Sequence, residues 1–327
     1  FFIIDNTVLF SKLLYTQNMN TKNTENLDEN PIGEKTALVA IIGRPSVGKS
    51  TFLNTASGEK ISIVSPVPQT TRNAVKGIVN TSLGQLVFID TPGYHNSDKK
   101  LNLKLKSITA EQLEASEAVL YIMDATRDIG EEEEMTAALI KDVADKIVVA
   151  INKTDDIAAK PENCKVFIKK VLPSIPESRI FCISAKEDTG INEVLKALYD
   201  LAPVADQMYP EEFYTDQEVD FRIAEIIREE AMNRLRDELP HAIYVDISDM
   251  EWRRDGKELW VRAFLVVERE SQKGMVIGKG ASMIKTIRVE SIKACRKIFD
   301  YRVDLDLQVK VNKNWRQKDP VLVKILK

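Results

Sequence analysis

Eight residues near the start of the chain have the types and spacing of a loop that binds phosphate. They read Gly43-Arg44-Pro45-Ser46-Val47-Gly48-Lys49-Ser50 and are followed by Thr51. The glycines let the backbone approach phosphate oxygens closely, so that its amides point at the anion. Lys49 is expected to reach the β- and γ-phosphates, and the Ser50 hydroxyl is expected to ligate Mg²⁺. A chance match in a Gly-containing turn is the alternative, and this loop alone does not distinguish ATP from GTP.

A second motif, Asn152-Lys153-Thr154-Asp155, predicts which base is bound. The Asp155 carboxylate can accept hydrogen bonds from the N1–H and the exocyclic amine of guanine, and adenine offers no such pair of donors. A carboxylate buried against adenine would therefore stay unsatisfied. We expect Lys153 to lie along the base and Asn152 to tie this loop to the phosphate loop. Ser184-Ala185-Lys186 follows the next predicted strand, and its backbone amides suit guanine O6.

Two further segments have the composition of loops that sense the γ-phosphate. Asp90-Thr91-Pro92-Gly93 ends a predicted strand. We expect Asp90 to hold Mg²⁺ through water and the Gly93 amide to contact the γ-phosphate. In Pro68-Gln69-Thr70-Thr71-Arg72, Thr71 is expected to close over Mg²⁺ when GTP is bound. Such switch segments are ordered with GTP and loosen after hydrolysis. The pattern assigns no catalytic residue beyond Thr71, Asp90 and Gly93 as switch residues.

Apolar runs predict the elements that position these loops. Strands are predicted at 37–42, 85–89, 118–123, 146–151 and 179–183, and helices at 49–56, 104–114, 132–143, 164–171 and 191–201. Strands that alternate with helices indicate a mostly parallel α/β sheet with helices on both faces. Ligands of such sheets bind beyond the carboxyl ends of the strands, where the motifs lie.

The pattern changes after a Pro-containing linker at 203–217. It then predicts a smaller α+β domain, with a long helix at 218–239, strands at 242–248 and 258–268, a basic helix and a strand at 302–311. The predicted domains are an α/β P-loop GTPase domain at 36–202 and this second domain at 218–314, followed by a C-terminal tail at 315–327. Residues 1–35 are predicted to be a disordered or non-native extension, and a short membrane-touching segment at 1–18 is the alternative.

The composition is that of an ordinary globular protein with two domains. The chain has 327 residues and a net charge of −4, which argues against a surface that coats nucleic acid everywhere. Its three cysteines, Cys164, Cys182 and Cys295, have no paired spacing, which is typical of a reducing cytosol. Neither histidine lies near a cysteine at metal-ligand spacing, so we expect no structural zinc site.

A local basic excess nevertheless lies in the second domain. Residues 271–299 contain one acid, Glu290, and seven basic residues: Lys273, Lys279, Lys285, Arg288, Lys293, Arg296 and Lys297. One sign predominates so strongly that contact with phosphates is favoured over a merely solvated helix face. The turn Gly278-Lys279-Gly280-Ala281 is similar to the Gly-x-x-Gly turn with which KH domains clamp about four nucleotides.

Alanine replaces the second glycine of that motif. Because alanine disfavours positive φ, we expect Ala281 to be tolerated if it already starts the following helix. We expect Gly274 and Ile277 to support the turn and Ile284 to pack in the core. The predicted RNA-binding residues are Gly274, Ile277, Gly278, Lys279, Gly280, Ala281, Lys285 and Arg288.

Together, the segments 69–72, 90–93 and 274–285 resemble the bacterial Era GTPases, and Leu239-Pro240-His241 also fits that family. The resemblance runs from Lys35 to Trp315. It implies a Ras-like GTPase domain followed by a type II KH domain. It also implies a role in assembly of the small (30S) ribosomal subunit, through binding near the 3′ end of 16S ribosomal RNA. The implied location is the cytoplasm, with loose peripheral association with the cytoplasmic face of the membrane, and we expect a monomer.

Two departures from related GTPases bear on hydrolysis. Tyr94 follows Gly93, where Ras-like enzymes carry a glutamine that orients the attacking water. Ser46 stands where some relatives carry an asparagine that binds potassium, and a hydroxyl is the shorter and weaker ligand. The sequence therefore predicts GTP or GDP with Mg²⁺ as ligands, does not favour K⁺, and predicts slow intrinsic hydrolysis.

Three other functions are alternatives to a hydrolysing switch with one GTPase domain. A nucleotide-gated RNA-binding module with negligible turnover is the alternative to a hydrolysing switch. A tRNA-modification GTPase would need a modification domain or a catalytic cysteine context. A tandem GTPase would need a second phosphate loop, and the sequence contains neither feature.

Overall fold

The computed structural model describes residues 34–65, 72–91 and 109–325. The first domain is built on a six-stranded sheet in the order β2-β3-β1-β4-β5-β6. Only β2 runs antiparallel to its neighbour in this sheet, which is otherwise parallel. The strands are β1 (Lys35–Ile42), β2 (Val75–Thr81), β3 (Gly84–Asp90), β4 (Ala118–Asp124), β5 (Ile147–Asn152) and β6 (Ile180–Cys182).

Helices cover both faces of this sheet. They are α1 (Lys49–Ser57), α2 (residues 109–115), α3 (Glu131–Ile140), α4 (Pro161–Val171) and α5 (Ile191–Leu201). One apolar core joins the sheet to α1 and α5, and another joins it to α3 and α4. Every residue of β3, β4 and β5 is buried, because helices shield these strands on both sides. This explains why the strands appear in the sequence as continuous apolar runs.

The structure corrects two predictions in this domain. The predicted helix at 132–143 ends at Ile140 and continues as a 3₁₀ segment, Lys141–Lys146. The strand β2 was missed, because Gly77 interrupts its apolar residues and they do not alternate. A Cβ at Gly77 would lie 2.5 Å from Leu53 Cδ1, so α1 packs closely against this strand. The predicted helix at 104–114 begins outside the described residues.

The second domain has a three-stranded sheet, β7-β8-β9, in which β7 and β8 are antiparallel and β8 and β9 are parallel. The predicted helix at 218–239 was too long, since it ends at Met232 and a separate helix begins at Leu239 with Pro240 in its first turn. The elements are α6 (Val219–Met232), α7 (Leu239–Ala242), β7 (Tyr244–Arg253), β8 (Glu258–Val267), α8 (Glu270–Ile277), α9 (Ser282–Ile298), β9 (Arg302–Val311) and α10 (Asp319–Ile325).

The predicted linker lies along the edge strand β2 of the first domain. The amide of Ile78 donates to the carbonyl of Tyr214 at 2.9 Å. The Gln85 side chain donates to the Tyr209 carbonyl at 2.8 Å and accepts from the Tyr209 amide at 3.0 Å. The first contact satisfies a free backbone amide of the edge strand, and the other two hold the linker to β3 beside it.

The residues after β9 return to the sheet of the second domain. Trp315 is completely buried, and its indole N–H donates to the Ala242 carbonyl at 2.9 Å. Trp315 and Leu322 pack with Tyr244, Phe264 and Val266. The segment from 315 to 325 therefore belongs to the packed structure of this domain.

Two segments of the first domain dock on the second, one on each side of residues 66–71 in the sequence. Before them, Ile63 packs in the core of the second domain, and the Val64 amide donates to Glu229 Oε1 at 2.8 Å. After them, the Arg72 guanidinium donates to the Ile243 carbonyl at 2.7 Å and lies 5.5 Å from the ring centroid of Trp315. The residues just before the predicted switch segment, and its last residue, Arg72, are thus both attached to the second domain.

Candidate functional site

The phosphate loop joins β1 to α1, as the sequence predicts. Gly48 precedes α1 with a φ of 102°, in the region that favours glycine. A Cβ at this position would lie 2.3 Å from Asn152 Nδ2, so a side chain would displace the loop that follows β5. Ser46 also has a positive φ, of 65°. The tight turn of the loop therefore depends on Gly48 and on close contact with Asn152.

Side chains hold the carbonyls of this loop in place. Lys49 Nζ donates to the carbonyls of Gly43 and Arg44, each at 2.9 Å. The next three carbonyls accept hydrogen bonds from other elements: Pro45 from Arg127 at 3.2 Å, Ser46 from Lys153 at 2.8 Å and Val47 from Asn152 at 2.8 Å. Because a trans peptide points its C=O and N–H in opposite directions, fixing the carbonyls aims the amides at the other side of the loop. That arrangement is suited to an anion.

Lys49 is almost completely buried, with 6% of its surface exposed. Burial lowers the pKa of Lys49 to about 8, and the carboxylates of Asp90 and Glu133 oppose this shift. Its hydrogen-bond partners are backbone carbonyls, which phosphate oxygens could replace. A bound phosphate would then stabilise the charged form of the lysine.

Two of the residues predicted to hold Mg²⁺ lie together, Ser50 in the first turn of α1 and Asp90 at the end of β3. Ser50 Oγ donates to Asp90 Oδ2 at 2.7 Å, and Asp90 is completely buried. Thr91 Oγ1 donates to the Ile41 carbonyl at 2.6 Å and fixes the chain after β3. A hydroxyl beside a carboxylate is a set of hard oxygen ligands that fits Mg²⁺. The other predicted switch residues, Thr71, Pro92 and Gly93, lie outside the described residues.

The loop after β5 is tied to the phosphate loop through Asn152, as the sequence predicts. Asn152 is 3% exposed, and its side-chain amide bridges Val47 of the phosphate loop and the loop that follows β6. Asn152 Oδ1 accepts from the Ala185 amide at 2.9 Å. The Ala185 amide, predicted to serve guanine O6, therefore donates within the protein here. Thr154 Oγ1 bonds the Ile183 carbonyl at 2.9 Å and further ties the two loops together.

Asp155, the predicted base-reading residue, is exposed beside the buried Ser184. A hydrogen bond from Ser184 lowers the pKa of Asp155, and the nearby cations of Lys186 and Lys153 act in the same direction. Asp155 is therefore ionised and acceptor-only at neutral pH. Lys186 is exposed and pairs with Glu187 at 2.8 Å.

Two residues of this site were not identified from the sequence. Asp124 ends β4, is fully buried, and pairs with Lys153 Nζ at 2.6 Å. Burial raises the pKa of Asp124, but hydrogen bonds from Lys153 and Thr126 outweigh burial and lower it. Arg127, in the loop after β4, supports the phosphate loop through Pro45. A charged residue directly after a predicted strand was the available signal for Asp124.

The candidate RNA-binding turn connects α8 to α9. Gly278 has a φ of 73°, and its amide donates to the Gly274 carbonyl at 3.0 Å, which ends α8. Lys279, Gly280 and Lys285 are exposed, whereas Ile277 is half-buried. Ile284 packs against the core as predicted. Met275 and Val289 expose 58% and 44% of their surfaces, so apolar area is available on α8 and α9.

Two predictions about this turn are modified. Ala281 does not start the helix, because it precedes α9 as its N-cap with a left-handed φ of 61°. The condition under which alanine would be tolerated is therefore not met. Arg288 donates from Nε to the Leu305 carbonyl, and its Nη2 lies 3.3 Å from Asp304 Oδ1. Its guanidinium is thus engaged by β9.

Sequence comparisons agree with this geometry. A family model described as 50S ribosome-binding GTPase matches residues 38–153, and one described as KH domain matches residues 238–316. A GTPase Era of Treponema denticola is 59% identical over 288 residues, covering 88% of this chain and 98% of the relative. The chain belongs to the Era GTPase family. The GTPase Era of Borreliella afzelii is 42% identical over 292 residues, covering 89% of this chain and 99% of its own.

Solved Era structures have the same two-domain fold. A tyrosine-to-alanine variant of Aquifex aeolicus Era bound to GDP·AlF4⁻ matches with a TM-score of 0.83 and 32% identity, covering 89% of this chain and 98% of that one. Era in complex with MgGDPNP and nucleotides 1506–1542 of 16S ribosomal RNA matches equally, covering 90% and 98%. These matches confirm a Ras-like GTPase domain followed by a KH domain, and a GTPase that uses GTP, GDP and Mg²⁺. Within the described part of the chain, no helix has the length and apolar character needed to cross a membrane.

Restoring the glycine in this Era KH turn is expected to stabilise the protein. Replacing Ala281 with glycine should raise the free energy of unfolding by about 1 kcal/mol, since a Cβ at positive φ is strained. Urea unfolding of the full chain followed by circular dichroism would measure it. Ala294→Gly, inside α9, is the matched control and should lower the unfolding free energy by about 1 kcal/mol. A destabilising effect of Ala281→Gly would contradict the prediction.

Proposed function

We propose that this chain is a GTP-hydrolysing switch that binds 16S ribosomal RNA near its 3′ end and assists assembly of the small (30S) ribosomal subunit. The observation that carries the proposal is the presence in one chain of a phosphate loop tied to a candidate guanine-reading loop through Asn152 and of a KH-type turn. The structural neighbour in complex with nucleotides 1506–1542 of 16S ribosomal RNA supports the choice of RNA. We propose the domain division at 36–202, 203–217 and 218–314 predicted above, with residues 315–325 added to the second domain because Trp315 and Leu322 pack in it.

In the nucleotide site, each predicted group has a separate task. Lys49 and the amides of the loop from Gly43 to Thr51 would hold the phosphates, and Asp155 would select guanine. Ser50, and Asp90 through water, would hold Mg²⁺, which supplies charge neutralisation on the phosphate oxygens when it is bound. Thr71 and Gly93 would complete the switches, and Asn152 would keep the base loop and the phosphate loop in register.

In the RNA site, the positive charge and the glycine turn act together. Lys279 and Lys285 are exposed and would neutralise phosphates of a single strand clamped at Gly278 and Gly280. The apolar surface at Met275 and Val289 would receive bases. Arg288 would join the contact only by leaving Asp304, so its contribution is smaller than the sequence suggests.

Contacts between the domains give the switch a route to the RNA site. Arg72 directly follows the predicted Mg²⁺-sensing Thr71 and is bound to backbone carbonyls of the second domain. A ligand shifts a conformational equilibrium only if it distinguishes the states. We therefore propose that the nucleotide acts on RNA binding through this junction.

The test compares RNA affinity in two nucleotide states. A labelled single strand with the 3′-terminal sequence of bacterial 16S ribosomal RNA is titrated with the protein in GDP and in a non-hydrolysable GTP analogue. We expect the affinities to differ by about tenfold, a typical coupling between sites. A scrambled strand of equal composition is the control. Equal affinity in both states would remove the switch.

A single-turnover assay in parallel measures hydrolysis. Slow release of phosphate is expected, and its absence would favour an RNA-binding module with negligible turnover. Exchange of potassium for sodium in the same assay tests the expectation from Ser46 that potassium adds little.

We further propose that the protein works as a cytoplasmic monomer. Co-sedimentation with vesicles tests the peripheral membrane contact implied by the family, and sedimentation velocity tests the monomer.

A further inference from the structure

A completely buried carboxylate lies behind the phosphate loop. Glu133, in the first turn of α3, forms an ion pair with Nε of Arg44, the loop residue that follows Gly43. The exposed fractions of the Glu133 and Arg44 side chains are 0% and 4%. The hydroxyl of Tyr121, fully buried in β4, donates to Glu133 Oε1. The loop is thus attached to both an adjacent helix and a central strand through one carboxylate.

A buried ion pair of this kind is not explained by stability alone. Removing two charges from water costs free energy that their attraction only partly returns, and an apolar pair of similar volume is often as stable. Removing one partner is different, because it leaves an uncompensated charge in a site without water. The arrangement therefore fixes the position of Arg44 more than it stabilises the fold.

Arg44 connects this pair to the residues that face phosphate. Its carbonyl accepts a hydrogen bond from Lys49 Nζ at 2.9 Å, so its backbone sets where the lysine lies. Its side chain is directed to Glu133 of α3 and also donates to the carbonyl of Asp128, in the loop before α3, at 3.4 Å. The backbone of Arg44 faces the nucleotide site, whereas its charge is held by Glu133.

We propose that Glu133 is a positioning residue for the nucleotide phosphates, which acts through Arg44 to keep the amides of the loop aimed at the anion. This inference rests on the proposed guanine-nucleotide site. Without the carboxylate, the buried guanidinium would have to move to reach water or phosphate. Because only the side-chain bonds separate it from the loop backbone, the movement would displace the loop amides from the phosphates.

A double-mutant cycle tests the proposal. Glu133→Gln, Arg44→Met and the double variant are compared with the unaltered protein for GDP affinity and GDP dissociation rate, using a fluorescent GDP analogue. We expect each single variant to weaken GDP binding about tenfold, the lower end of the effect of residues that orient a binding group. The double variant should lose about the same factor rather than the product, since both changes break one anchor.

Two features of the design separate positioning from folding. The measurements are made well below the thermal transitions, which are recorded for every variant. The double variant leaves no unpaired buried charge, so it provides a reading if a single variant does not fold. Glu162→Gln is the matched control, because it removes a carboxylate from the exposed pair with Lys165 on α4, 2.7 Å apart. It should change GDP affinity less than twofold.

Three results would overturn the inference, and a fourth result would instead concern the proposed nucleotide site. Unchanged GDP affinity with lowered melting temperatures would make the pair structural. Tighter binding by Glu133→Gln with weaker binding by Arg44→Met would indicate an effect of local charge and not of loop position. Multiplied losses in the double variant would show two independent contributions. If the unaltered protein bound no GDP, the proposed nucleotide site would fail instead.

Discussion

Replacing Asp155 with asparagine is expected to weaken GDP binding by at least about a hundredfold. In the proposed site, the carboxylate accepts two hydrogen bonds from guanine, one from N1–H and one from the exocyclic amine. Asparagine presents one acceptor and one donor in the same place, so one of the two pairs becomes donor against donor. The base then loses a charge-assisted bond and leaves a polar group unpaired.

The same substitution should change which base is preferred. Xanthine has a carbonyl in place of the exocyclic amine of guanine, and it presents a donor and an acceptor that match an asparagine. We therefore expect Asp155→Asn to bind xanthosine diphosphate more tightly than GDP, reversing the order of the unaltered protein. Competition against a fluorescent GDP analogue would measure both affinities, with ADP as the base that neither protein should favour.

The neighbouring aspartate provides the control. Asp156 is exposed like Asp155, and its side chain accepts from the Ala158 amide at 2.8 Å, a bond that asparagine can keep. Asp156→Asn should therefore leave GDP affinity within about twofold, as surface substitutions away from a site usually do. If Asp155→Asn bound GDP as well as Asp156→Asn does, the base-reading role would have to be assigned elsewhere.

The nucleotide site was accessible from the sequence because each of its parts is a short, local pattern. The loop from Gly43 to Ser50 and the motif from Asn152 to Asp155 each follow an apolar run that reads as a buried strand. Parallel sheets bring the carboxyl ends of such strands to one edge, so the meeting of these loops follows from the fold class. The contact between Asn152 and Val47 is the direct result.

The parts that were not predicted depend on contacts between distant residues. Nothing in the pattern around Glu133 indicates that this member of an acidic run turns inward to Arg44, since the residues around it are charged as well. The edge strand β2 was not predicted from the sequence for a related reason. Its position is set by pairing with β3 and by the linker that covers it, and not by its own periodicity.

The junction between the domains was also outside the reach of local patterns. Arg72 was assigned to a switch segment by its neighbours in the sequence, whereas the structure places its guanidinium on the Ile243 carbonyl and near Trp315. A left-handed Ala281 could not be read from the sequence either. The backbone conformation of an alanine is set by the turn around it. The similarity to Gly-x-x-Gly indicates the position of the turn but not the φ of Ala281.

Replacing Trp315 with alanine is expected to lower the free energy of unfolding of the second domain by about 3–5 kcal/mol. The indole is completely buried and packs edge-on against Tyr244, with ring centroids 4.9 Å apart. Its removal would leave a cavity between the sheet and the C-terminal helix, and the Ala242 carbonyl would lose its donor. Residues assigned from the sequence to a C-terminal tail would then prove essential to the fold.

Two further tryptophan variants resolve the contributions. Trp315→Phe keeps an aromatic ring beside Tyr244 but loses the N–H, so it should cost less than Trp315→Ala. Trp252→Ala removes an indole that is 53% exposed, and its cost should stay within about 1 kcal/mol. Urea unfolding followed by circular dichroism would measure all three.

Since Arg72 lies over the Trp315 ring, Trp315→Ala should also weaken the junction that we propose carries the nucleotide signal. Its RNA affinity should therefore become less dependent on GDP or a GTP analogue, and an unaltered dependence would place that route elsewhere.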